Sequence, residues 1–258
     1  MGISIAVSGK GGTGKTTLCG LIIAVLKAKG KTPILAIDAD PNSNLNEALG
    51  VEATSAIGTM REEVLKSVEA IPAGIPKETY VEYQLQEALV EDKGFDLLIM
   101  GRPEGPGCYC YVNSLLRKYI DLLSGNYPYI VMDNEAGMEH LSRRTTSKAD
   151  LLLIVSDPTL RGIQTAARIR DLAREEELGI GEIFLVVNRA KSELPSVLRE
   201  EIEKRGLSLL AVIPEDPAIE RFDLERGPLF DLPESSVALR AVRNMLEEVE
   251  KRVARKVA

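Results

Sequence analysis

The stretch Ser8-Gly9-Lys10-Gly11-Gly12-Thr13-Gly14-Lys15-Thr16-Thr17 restricts this chain more than any other. A short apolar run, Ile3 to Val7, precedes it and reads as a buried strand. An apolar, helix-compatible run, Leu18 to Ala28, follows it. Strand, glycine-rich turn and helix with the spacing G-x-x-x-x-G-K-[ST] make a P-loop. Gly9, Gly11, Gly12 and Gly14 let backbone N–H groups converge on phosphate oxygens without Cβ clashes. The helix N-terminus adds its dipole, so Thr13, Gly14, Lys15, Thr16 and Thr17 are candidate phosphate contacts. Lys15 supplies a point charge for the β- and γ-phosphates of ATP, and the Thr16 hydroxyl suits Mg²⁺.

Lys10 lies inside the loop, where an ordinary P-loop needs no lysine. The sequence G-K-G-G-T-G-K-T resembles the deviant P-loop of the class that includes the nitrogenase iron protein, the arsenite-pump ATPase and the septum-positioning ATPases. The resemblance implies a homodimer in which Lys10 reaches the partner's nucleotide. It makes Lys10 a catalytic candidate beside Lys15.

With 258 residues and 45% hydrophobic composition, the chain can build a sizeable α/β core. The net charge of −7 suggests neither a nucleic acid nor an anionic membrane as partner. No apolar run approaches membrane-spanning length, and strand one begins at once, with no signal peptide expected. Three cysteines do not make a disulfide framework, so a reducing cytoplasm is the expected compartment.

Along the chain, Lys31 to Asp38 reads as a second strand ending in Asp38-Ala39-Asp40-Pro41. Asn42-Ser43-Asn44 is set to cap a helix. D-x-D-P here resembles the family's switch I, which implies that Asp38 orients the attacking water; Asp40 reads as a turn carboxylate. Thr59 to Ala70 and Lys77 to Glu91 look helical, and Phe95 to Met100 is a third strand. Pro128 to Asp133 is a fourth, with Asp133 in the Walker B position that holds Mg²⁺ through water. Asp133-Asn134-Glu135-Ala136-Gly137 resembles switch II, which implies a γ-phosphate contact from the Gly137 N–H. His140, the only histidine, reads as a surface or interface residue.

Leu151 to Ser156, Glu182 to Asn188 and Ser208 to Ile213 complete about seven strands, with a helix over Arg161 to Leu178. The family resemblance makes Asn188-Arg189 the base-recognition pair, since an amide can pair with adenine N6 and N7. It also makes Pro214, Glu215 and Asp216 the edge of the base pocket. The terminal helix presents Ala238, Leu239, Val242, Met245, Leu246, Val249 and Val253 as one core-facing stripe. Alternating strands and helices predict a single domain over residues 1–258. The expected fold is α/β, doubly wound, with a mainly parallel sheet flanked by helices.

Gly101 to Tyr111 is too rich in glycine and proline for helix or sheet, and it presents Cys108-Tyr109-Cys110 before a helix over Val112 to Ser124. A helix N-terminus favours thiolates, which bind soft or borderline metals such as Ni²⁺ and Zn²⁺. A disulfide across so small a ring would be strained, and two buried structural cysteines are the remaining alternative. Cys19 reads as a small core residue. Taken with the loop and switch motifs, Gly107-Cys108-Tyr109-Cys110 gives the chain a resemblance to CooC-type ATPases. These mature the nickel enzymes carbon monoxide dehydrogenase and acetyl-CoA synthase. The resemblance implies nickel insertion coupled to ATP hydrolysis. Two other classes stay open: an iron–sulfur carrier or reductase like the nitrogenase iron protein, and a metal-free positioning ATPase.

Overall fold

The computed structural model describes residues 2–40, 42, 44–52, 56–57, 79–80, 83, 86–101, 123, 125–136, 148–176 and 179–257. Cys108, Cys110, Gly137 and His140 lie outside the described residues. So do the helix expected over 59–70 and, apart from helical Leu123, the helix expected over 112–124.

The strands are β1 (Ile3–Gly9), β2 (Ile34–Ala39), β3 (Leu89–Asp92), β4 (Phe95–Ile99), β5 (Tyr129–Asn134), β6 (Lys148–Ser156), β7 (Gly179–Ala190) and β8 (Leu209–Pro214). They form one sheet in the order β3-β4-β2-β5-β1-β6-β7-β8. Every pairing is parallel except β3 with β4. The chain first winds from β1 toward β2 and β4, then reverses to β6, β7 and β8. The reversal places a crevice at the C-terminal end of β1, where open α/β sheets bind ligands.

Continuous apolar runs suit these strands because helices cover both faces of the sheet. Alternate residues divide between the two cores. Ile5, Val7, Ile34 and Ala36 face one core, built with α1 (Lys15–Ala28) and α6 (Val237–Val257). Ala6, Leu35 and Ile37 face the other, built with α3 (Leu160–Glu175) and α4 (Ser196–Lys204). The α6 stripe from Ala238 to Val249 is buried as its spacing predicts. Among the described residues, no helix is long and apolar enough to cross a membrane.

Among the described residues the sheet has eight strands rather than about seven, and β3 is the addition. Helix was expected through Glu91. Residues 79–80, 83 and 86–87 are helical, but Leu89–Asp92 pairs antiparallel with β4. A two-residue turn, Lys93-Gly94, joins the pair, with Gly94 at φ 90. Such tight hairpin turns need a positive φ, which glycine supplies. Leu89 and Val90 then pack on opposite cores, and this outweighs the helix preference of the glutamates.

A second difference is the start of α2 (Leu45–Leu49). Asn44 occupies the N-cap position, yet its side chain makes no capping bond. The Leu45 N–H donates instead to Asp38 Oδ2 at 2.9 Å. A full carboxylate within reach is a better acceptor than a neutral amide.

Ile22, fully buried in the middle of α1, tests the helix–sheet packing. Ile22→Ala should lower unfolding stability by about 2–5 kcal/mol in urea denaturation followed by circular dichroism. A change below about 1 kcal/mol would mean that α1 is not packed as described.

Candidate nucleotide site

Gly14, at φ 87, is the N-cap of α1 and offers no side-chain cap. The first turn carries no acidic residue. The orphan N–H groups and the positive dipole end are therefore left for an anion. Gly12 lies at φ 77, and a Cβ built there would meet nothing within 4 Å, so this side of the loop is open. Thr13 is buried, and its hydroxyl donates to the Lys10 carbonyl at 2.8 Å. Lys15 is drawn inside at 7% exposure, whereas Lys10 is exposed. Two lysines in one loop thus have different surroundings.

Asp38 and Asp133 are register-matched neighbours on β2 and β5. Thr16 Oγ1 donates to Asp133 Oδ2 at 2.5 Å. Asp133 Oδ1 is buried and has no hydrogen-bond partner among the described residues. A buried carboxylate oxygen left bare beside a hydroxyl is the donor set that a hard cation takes, so the residues fit Mg²⁺. Burial pushes the Asp133 carboxyl up to about 7; the Thr16 bond opposes this and the Asp38 charge adds to it. Burial likewise pushes Asp38 up to about 6, against the N–H bonds from Leu45 and Asp40. The Cys19 thiol is fully buried behind Lys15 in the α1 core, as expected, and is pushed well above its ordinary value first by burial and then by Asp133.

Beyond the loop opens a cleft of about 1020 Å³, lined in part by Thr16, Thr17, Asn188, Arg189, Pro214, Glu215 and Asp216. These residues come from opposite ends of the sequence, and the sheet brings them together at one edge. Asn188 Nδ2 donates to the Thr13 carbonyl at 2.9 Å, and Arg189 Nη1 donates to the Gly12 carbonyl at 3.1 Å. The outer wall is α5 (Pro217–Glu225), which contributes Ile219 and Phe222. The sequence offered no periodic signal for this wall beyond Asp216-Pro217, a helix-start pair.

Asp216 does more than edge the cleft. Its Oδ1 accepts from the Ala218 N–H at 2.9 Å. Its Oδ2 accepts from Ser236 Oγ at 2.6 Å and from the Ala238 N–H at 3.1 Å. One carboxylate therefore caps α5 and also holds the start of α6. Burial raises its pKa, but these bonds outweigh that effect and hold the carboxyl below its usual value.

The sequence profile of the CobQ/CobB/MinD/ParA nucleotide binding domain matches residues 4–229. The chain belongs to this family. It is accordingly an ATP-binding P-loop ATPase. An uncharacterized ATP-binding protein of Methanocaldococcus jannaschii is 45% identical over 247 residues, covering 95% of this chain and 97% of that one. The carbon monoxide dehydrogenase accessory protein CooC of Rhodospirillum rubrum is 33% identical over 242 residues, covering 89% and 90%. The MinD cell division protein of Aquifex aeolicus superposes with a TM-score of 0.71 at 27% identity, covering 97% of both chains.

The raised carboxyls have a stability consequence. In the unfolded chain an aspartate titrates near 3.9, so the folded protein binds protons more tightly than the unfolded one. The contribution is fully present below about pH 4 and is lost as pH rises through about 7, the folded value of Asp133. Asp133→Asn removes its share. In chelator, without nucleotide, the melting temperature of Asp133→Asn relative to the unmodified protein should climb between pH 5 and pH 8. A constant difference across that range would show that Asp133 is not held protonated by burial.

Proposed function

We propose that the protein is a Mg²⁺-dependent ATPase that works as a homodimer and couples hydrolysis to the handling of a thiolate-bound metal. The client would be carbon monoxide dehydrogenase or acetyl-CoA synthase. The observation that carries the ATPase half is the Thr16–Asp133 pair beside an uncapped helix N-terminus. In this reading the triphosphate lies on the N–H groups of Gly11, Gly12 and Gly14 to Thr17, the Thr13 N–H being turned to the Lys10 carbonyl at 3.4 Å, with Lys15 against the β- and γ-phosphates. Thr16, and Asp133 through water, would hold Mg²⁺, which would supply neutralising charge to the phosphate oxygens. Gly137 donates to the γ-phosphate. Asp38 holds the attacking water in line; its carboxylate accepts the N–H groups of Asp40, Asn44 and Leu45 and has one further acceptor site for the water. Lys10, which is exposed, completes the partner's site when two chains close. Pro214, Glu215 and Asp216 bound the base, and Asn188 and Arg189 stand between base and phosphates.

The metal half is supported by Cys108-x-Cys110 in the sequence and by the likeness to CooC over most of the chain. One chain offers two adjacent thiolates, and a tetrahedral ion needs four ligands. A two-fold axis bringing both pairs around one Ni²⁺ or Zn²⁺ satisfies that count. The ion is cargo here, and ATP-driven closure would reshape its site.

Asp38→Asn should keep Mg-ATP binding and lower turnover by at least about a hundredfold, the range of a positioned acid–base group. Loss of binding with normal turnover per bound ATP would reject the role given to Asp38. Lys10→Ala should bind Mg-ATP and hydrolyse it poorly; full activity at concentrations where only monomer exists would reject the trans lysine.

For the metal, calorimetry with parallel sedimentation should find one Ni²⁺ or Zn²⁺ per two chains, with metal promoting dimerisation. Binding should vanish in Cys108→Ala or Cys110→Ala while nucleotide still binds. One tightly held ion per monomer, with no change in mass, would sink the shared site. An iron content with a visible absorption band would favour the iron–sulfur alternative instead.

A further inference from the structure

We propose that Asn188 and Arg189 are positioning residues for the phosphate loop. They hold the carbonyls of Thr13 and Gly12 turned out of the cradle, and thereby fix the direction in which its amides point. This rests on the reading of the loop as a phosphate site, and it concerns the phosphates rather than the base.

The glycines that let the loop approach phosphate also leave its peptide planes free to rotate, because no Cβ resists the motion. A plane that turned the wrong way would present a carbonyl oxygen to an anion. The loop therefore needs an anchor from outside itself. Asn188 Nδ2 takes the Thr13 carbonyl at 2.9 Å in a buried contact, and Arg189 Nη1 takes the Gly12 carbonyl at 3.1 Å. In a trans peptide the C=O of one residue and the N–H of the next point to opposite sides. The only cis peptide among the described residues is Thr32-Pro33. Fixing the Thr13 carbonyl on Asn188 thus sends the Gly14 N–H the other way, toward the open side of the loop. The preceding plane is held at both ends: its carbonyl meets Arg189, and the Thr13 N–H meets the Lys10 carbonyl at 3.4 Å.

The end of β7 is shaped for this task. A regular strand would send neighbouring side chains to opposite faces. Here the register with β8 breaks between Val187 and Ala190, and Arg189 adopts φ 57, a conformation that side chains other than glycine seldom take. The break turns both side chains to the loop. The fit is close, since a Cβ on Gly14 would stand 2.5 Å from Asn188 Nδ2. Strain in a backbone at such a place persists because the surrounding contacts hold it.

The two roles open to this pair separate cleanly by ligand. A base contact is felt only by a nucleotide, whereas a loop anchor is felt by any polyphosphate. The experiment measures the affinity of the full chain for Mg²⁺-tripolyphosphate, Mg-ATP and Mg-ITP by displacement of a fluorescent ADP analogue. The variants are Asn188→Ala and Arg189→Gly. Arg189→Gly accepts the positive φ and removes an exposed side chain with its guanidinium, so it decides the matter even where Asn188→Ala fails to fold. Each variant should lose about tenfold in affinity, the worth of one hydrogen bond, for tripolyphosphate and ATP alike, with the ATP-to-ITP ratio unchanged. Losses confined to the nucleotides, or a collapsed ATP-to-ITP ratio, would overturn the proposal in favour of base contact. Affinities equal to the unmodified protein for all three ligands would overturn it as well. Unmodified protein that bound neither ATP nor tripolyphosphate would overturn the phosphate-site reading and this inference with it.

Discussion

Asp38 and Asp133 stand side by side at the ends of two parallel strands, both out of contact with solvent. Burial strips both of hydration and is the main reason both titrate above the ordinary range; the Asp38 charge adds to the shift at Asp133. The fold accepts this cost because everything around the pair has been arranged to use it. Thr16 reaches one oxygen from the first turn of α1, and the amide at the start of α2 reaches the other aspartate. The neighbouring oxygen of Asp133 is left bare. A site so poised is unfavourable when empty and favourable when a divalent cation and a polyphosphate enter. Binding then releases electrostatic tension as well as forming contacts.

The sheet topology makes this concentration possible. β1 sits between β5 and β6, so the loop that follows it emerges where the winding reverses. β2 and β5 deliver the carboxylates on one side, and β7 and β8 deliver Asn188 to Asp216 on the other. No single local segment contains the site. It exists only because distant strands end on the same edge.

That also explains what could be read before the structure. The P-loop was legible because its chemistry is local: spacing, glycines and flanking elements lie within one short stretch. Strand-end aspartates were legible because an apolar run followed by Asp marks the edge of a parallel sheet. β3 was not, since Leu89 and Val90 make a strand only by pairing with β4; the clue was Lys93-Gly94 between the two runs. Capping of α2 was expected from Asn42-Ser43-Asn44 because sequence proximity favours them, while Asn44 makes no side-chain cap and the acceptor for the Leu45 N–H lies on β2. The shared cap at Asp216 was invisible for the same reason, its partners Ser236 and Ala238 being far along the chain. The cysteine pair lies outside the described residues, so its reading stands on sequence alone.

The outer wall of the cleft differs from the rest of the molecule. α5 has no buried residue, whereas α1 behind the phosphate loop is buried along most of its length. The two sides of the cleft therefore differ in how firmly they are built into the core. The loop side rests on a helix buried in the core, while the α5 side is held by the part-buried Ala218, Ile219 and Phe222 and by Asp216. The wall is accordingly the part of the cleft least tied into the core, and the Asp216 carboxylate is what fastens it to the long terminal helix.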